Sequence, residues 1–142
     1  MILRAGSRAA GRCCLVIFLA LLAVPVRAQY SRQYKACDAR AKTQKQLNEC
    51  ANTEAAREDA QLSRIYRKLL SKVAAEPEAA GKIEAAEKAW TVYRDAYIEA
   101  TFPANDKQAE YGTVFPMEAD LLRAALTRRY IREMSKLLLQ YK

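Results

Sequence analysis

Trp90-Thr91-Val92-Tyr93-Arg94-Asp95 holds the only tryptophan of a 142-residue chain, beside a tyrosine, an arginine and a carboxylate. Read as helix, spacings of three and four residues set Trp90, Tyr93, Arg94 and Tyr97 on one side. Aromatics at that spacing ordinarily organise a helix interface. The stretch therefore predicts a packed seam, with Arg94 lying flat against the rings. Its guanidinium should meet Glu54, Glu58 or Asp59 of the preceding helix. On this reading Arg94→Ala destabilises the chain more than deletion of a surface charge.

The flanking sequence supplies partners of the same kind. Beyond Gln29 the chain is rich in Ala, Leu, Lys, Arg, Glu and Gln, which are strong helix formers, and no run reads as a strand. Thr43-Gln44-Lys45-Gln46 fits a capping box and opens the first long helix. Its apolar stripe is Leu47, Cys50, Ala51, Ala55, Leu62, Ile65, Tyr66, Leu69 and Val73, interrupted by Glu58 and Asp59. Pro77 punctuates the chain, and a second helix is predicted from about Glu78 to Ala100. Ile83, Ala86, Trp90, Tyr93 and Tyr97 form its predicted inner side. Residues 101–115 read as a long irregular loop, and Pro116 opens a third helix through about Tyr141. Met117, Leu121, Ala124, Ile131, Met134 and Leu138 should point inward there. The fold class is all-α, a small antiparallel helical bundle of about three main helices.

Residues 1–28 read differently. Arg4, Arg8 and Arg12 precede the apolar run CCLVIFLALLAV at 13–24, and Val26-Arg27-Ala28 offers small residues before a cut. That is the grammar of a cleaved secretory signal peptide. The run is short of the roughly 20 apolar residues a membrane span needs. The expected mature chain, 29–142, is one helical domain in the periplasm or secreted, off the membrane, and it keeps only Cys37 and Cys50. In an oxidising compartment such a pair is most simply a disulfide, stapling the segment around Cys37 to the first long helix.

Loss of the leader removes four arginines and no acid, leaving twenty basic against sixteen acidic side chains. The formal charge falls from +8 to +4 and is unevenly spread: +3 over 29–50, −4 over 51–120 and +5 over 121–142. Export argues against nucleic acid as the partner of the basic ends. The acidic middle suits a cationic protein. With no histidine in the chain, His-dependent triads and the usual zinc sites are ruled out. Gly81 and Gly112 are the only glycines past the leader, so no phosphate loop can form. A pair of carboxylates could serve a glycosidase, but three helices without a second lobe give little from which to build its cleft. The expectation is a non-enzymatic protein without cofactor or metal.

The ordered residues Cys37, Thr43, Cys50, Asp59-x-x-Leu62, Tyr66, Ala86, Trp90-x-x-Tyr93-Arg94-Asp95 and Leu126-Thr127, with arginines following, resemble a known pattern. It is that of the lysozyme-inhibitor LprI N-terminal-like domain family of bacterial periplasmic and surface proteins. The resemblance runs from about Cys37 to Met134. Members often carry a second cysteine pair, which is absent here at Tyr97, Ile98 and 121–125. The resemblance implies a helical fold and inhibition, by binding, of a lysozyme or related peptidoglycan hydrolase. The motif residues themselves suit packing, so the partner-binding surface is expected in the 101–115 loop. There Asp106 and Glu110 would meet basic groups, and Phe102, Tyr111 and Phe115 would fill apolar subsites. Two other exported roles share this scaffold: a structural or envelope-stress protein, and an immunity protein against an imported toxin.

Overall fold

A computed structural model describes residues 30–141; the leader read at 1–28 lies outside them. Five helices follow in order: α1 (Arg32–Asp38), α2 (Gln44–Lys72), α3 (Pro77–Thr101), α4 (Lys107–Tyr111) and α5 (Phe115–Gln140), and a 3-10 turn at Gly112–Val114 precedes α5. The described residues contain no strand. The three long helices agree with the sequence reading to within a residue or two at each end. Thr43 caps α2 by accepting from the Gln46 N–H at 3.3 Å. The Gln46 side chain reaches back one residue further than a capping box requires, to the Lys42 N–H at 2.6 Å.

Side-chain bonds from α2 to the 3-10 turn and α5 climb both segments together. Asn48 donates to the Thr113 carbonyl at 3.0 Å, Asn52 to Asp120 at 3.2 Å, and Thr127 to Asp59 at 3.1 Å. The two helices therefore run parallel. α3 returns against them, as a three-helix up-down-up path demands. The α2–α5 pair is the most extensive interface in the fold, and α3 leans on it more lightly.

Two apolar clusters form the interior. One gathers Leu62, Leu69 and Val73 with Ile83 of α3 and Ile131 and Met134 of α5; Trp90 and Tyr130 are partly buried against it. The other, at the opposite end, joins Tyr34, Cys50 and Ala51 to Tyr30, Cys37, Met117 and Leu121. Along α2 they are separated by Glu54, Glu58 and Asp59. Cys37 and Cys50 are joined in a disulfide with Cα atoms 5.7 Å apart, which fastens α1 to α2.

The 101–115 segment departs from the sequence reading. It is not irregular, because α4 and the 3-10 turn occupy most of it. Gly112 makes the corner possible: its φ of +69° ends α4 in a conformation that costs other residues a Cβ clash.

Reduction of Cys37–Cys50 should lower the unfolding free energy by about 3 kcal/mol, the loop-closure value for a ring of this size. Urea unfolding with and without reductant measures it. Unchanged midpoints would mean that α1 is held by its other contacts alone.

Candidate functional site

The charged residues that interrupt the stripe of α2 lie inside the protein. Glu54 is 2% exposed and Glu58 3%. A buried carboxylate is tolerated only with donors around it, and four side chains or backbone groups supply them. Glu54 accepts from the Ser31 N–H at 3.0 Å and the Ser31 hydroxyl at 2.5 Å. Arg128 of α5 reaches Glu54 at 2.6 Å and Glu58 at 2.9 Å. Arg57 reaches Glu54 at 3.1 Å and Glu58 at 2.5 Å. Burial alone would push the Glu54 carboxyl up, but the bonds from Ser31 and Arg57 outweigh it and hold the group below the usual carboxylate range.

Arg94 is therefore not the residue that answers Glu54 and Glu58. It lies closest to its neighbour Asp95, at 2.8 Å, and stands 3.7 Å from Asp59. Asp59 is shared with Arg123 of α5 at 3.2 Å and with the Thr127 hydroxyl. Of the three acids offered by the sequence, Arg94 meets only Asp59, and loosely. Arg128 and Ser31 were not singled out in the sequence. The only signal for Arg128 was its position just after Leu126-Thr127, one turn from the buried Ala124.

The inner face of α3 is also turned from the sequence reading. Ile83, Glu87, Trp90, Arg94 and Ile98 point inward, whereas Ala86, Tyr93 and Tyr97 are exposed. Trp90 stacks on Tyr130 of α5, with ring centroids 4.5 Å apart. Tyr93 is 54% exposed and Tyr97 45%. They continue from Trp90 as a ladder of tilted rings, each 5.9 Å from the last. Behind the stack, Glu87 Oε2, Trp90 Nε1 and the Tyr130 hydroxyl are buried without a hydrogen-bond partner in the chain. Burial pushes the Glu87 carboxyl up, and the nearby Arg94 offsets this only in part. The Tyr130 hydroxyl is pushed up to about 12, by burial first and by the Glu87 charge second. A helix that turns Glu87 and Arg94 inward and tyrosines outward has reversed the usual division of its faces.

The residues expected to bind a partner at 101–115 have mixed placements. Phe102 is buried, edge-on to Tyr111 at 5.5 Å and to Phe115 at 5.2 Å. The three rings pack on one another and shape the corner from within; Phe102 is buried there, while Tyr111 and Phe115 stay half-buried. Asp106 caps α4 by accepting from the Ala109 N–H at 2.9 Å. Glu110 is exposed. Among the described residues, no three His, Cys, Asp or Glu side chains converge as a metal site would need.

The family model for the lysozyme inhibitor LprI matches residues 37–134. The chain belongs to the LprI family. The match spans both halves of the structure just described, from the Cys37 staple to Met134 in the core. LprI is an inhibitor family and not a catalytic one. Comparison with curated proteins and with solved structures returned no match. Within this LprI chain, Trp90, Arg94, Asp59 and Tyr66 line the contacts of α3 with α2 and α5, while Tyr93 and Asp95 face outward.

Two stability measurements separate these roles. Arg128→Ala leaves two buried acids short of a cation and should cost about 3 kcal/mol in urea unfolding. Arg94→Ala should cost about 1 kcal/mol or less, since Asp95 is exposed and Asp59 keeps Arg123 and Thr127 as partners; the reverse order would restore the assignment made from sequence. Glu87 gives a pH signature. Its folded value lies above its unfolded one, so the stability of the protonated form is complete in acid and is lost as pH rises through the raised value. Glu87→Gln should therefore raise the melting temperature at neutral pH and change nothing below the usual carboxylate range. An equal shift at both pH values would mean that ionisation of Glu87 is not the cause.

Proposed function

We propose that this chain is an exported inhibitor of a lysozyme or a related peptidoglycan hydrolase, acting by binding and not by catalysis. The match to the LprI family over residues 37–134 carries the reading. Members of that family are typically exported. The Cys37–Cys50 disulfide suits an oxidising compartment, and the leader read at 1–28 would deliver the chain there. No helix among the described residues is long and apolar enough to cross a membrane.

Net charge opposes a basic target, but its distribution does not. Residues 77–114, which make up α3, α4 and their corner, carry four basic and seven acidic side chains. The rest of the described chain carries fifteen basic and nine acidic. The protein is therefore acidic on its α3 side and basic across α2 and α5. A cationic enzyme would be steered to the α3 side, where Glu110 and Asp106 mark the acidic corner.

The test is an inhibition panel of basic c-type lysozymes and bacterial muramidases, read by the clearing of cell-wall suspensions. Saturable inhibition of at least one of them is expected, weakening as salt rises. A chain that inhibits none of the panel would transfer the fold to one of the other exported roles, envelope maintenance or toxin immunity. Recovery of a partner from envelope extract would then distinguish those two.

A further inference from the structure

The outward side of α3 is an apolar surface without an intramolecular partner. Ala89, Val92, Tyr93, Ala96, Tyr97 and Ala100 are all exposed, at spacings of three and four residues. Val92 is 64% exposed, and with Tyr93 and Tyr97 it accounts for three of the four large hydrophobic side chains recorded as exposed among the described residues. At 3.6 residues per turn the stripe covers about 140° of the helix without a charged residue. A stripe this wide ordinarily marks the side of a helix that meets a core. Here the opposite side meets the core, although it carries Glu87 and Arg94.

We infer that this face of α3 is the docking surface, and that its occupant is a cationic protein, the hydrolase of the reading above, on which this inference rests. The residue types fit recognition between separate proteins. Tyrosines give rigid contact area with tips that remain content in water, whereas a permanent interface favours Leu and Ile. Alanines between the rings keep the surface low, so a partner can approach the helix closely. The rim selects the charge of that partner: Glu84, Lys88, Asp95 and Glu99 run along one edge, and Asp106, Lys107 and Glu110 lie beyond the helix end, so acids outnumber bases five to two although Lys107 pairs with Glu99 and Arg94 with Asp95. A second copy of the chain fits less well, because antiparallel twofold pairing of the two helices would bring the same acidic edge against itself.

The experiment is titration calorimetry with the full mature chain and a basic c-type lysozyme, in four versions of the chain. Ala96→Arg puts a long cation at the centre of the face with a good helix former. Tyr93→Ala with Tyr97→Ala removes the rings. Ala36→Arg makes the same charge change on the exposed side of α1, which shares no interface with α3. The wild type should bind, both α3 variants should weaken binding about tenfold or more, and Ala36→Arg should leave it within about twofold. Helicity and melting temperature should match the wild type in each.

Binding by Ala96→Arg as tight as wild type, or equal weakening by Ala96→Arg and Ala36→Arg, would overturn the docking face while the inhibitor reading stands. A wild type that binds no lysozyme of the panel removes the inhibitor reading, and the proposed occupant with it. A wild-type dimer in sedimentation that Ala96→Arg dissociates would give the face to a second copy and overturn the cationic partner.

Discussion

Two carboxylates with almost no contact with water, Glu54 and Glu58, sit one turn apart in the middle of α2. Each would be costly to bury alone. Arg128 reaches both from α5, Arg57 reaches both from α2 itself, and Ser31 closes Glu54 from the start of α1. This arrangement restricts the fold in several ways at once. α5 must run parallel to α2 in a register that places Arg128 between the acids. α1 must turn back so that Ser31, its own N-cap, meets Glu54. The apolar clusters on either side could slide or rotate at modest cost, but the buried charges could not.

α3 is placed by what remains. Once α2 and α5 have paired, the side they leave for α3 offers the shared carboxylate Asp59, the ring of Tyr130 and the apolar cluster around Leu69. Arg94, Trp90 and Ile83 answer these in turn, and that rotation of the helix carries Tyr93 and Tyr97 outward. The inner side of α3 also keeps Glu87 Oε2 and Trp90 Nε1 without hydrogen-bond partners in the chain, so its hold on the bundle is incomplete. The same rotation joins the scaffold to the function proposed for it. A helix committed inward by charge presents its apolar residues to a partner.

Much of this was legible in the sequence. Helix periodicity located α2, α3 and α5, Thr43 and Pro77 marked their starts, and cysteine arithmetic gave the staple. The interrupted stripe of α2 correctly signalled acids that require a cation. What the sequence could not decide was which arginine supplies it, because seven arginines follow residue 60 and pairing across helices leaves no local pattern. Arg94 is the natural choice from its aromatic neighbours, and it does meet Asp59, one of the three acids offered to it, but leaves Glu54 and Glu58 to Arg128 and Arg57, and the tyrosines beside it are exposed. Period-counting alone cannot separate two overlapping apolar arcs on one helix. The 101–115 corner was misread for a related reason. Its helix has only five residues and depends on Asp106, Gly112 and three mutually packed rings instead of a repeating stripe.

The most direct test of the buried lattice is a double-mutant cycle in urea between Glu58→Gln and Arg128→Met, with Arg57 and Glu54 left in place. If the pair fixes the register of α5 on α2, the two changes should be strongly non-additive, with a coupling of about 2 kcal/mol. Losses that simply add, to within about 0.5 kcal/mol, would show that α2 and α5 are held by their apolar clusters and that the buried charges merely accompany them.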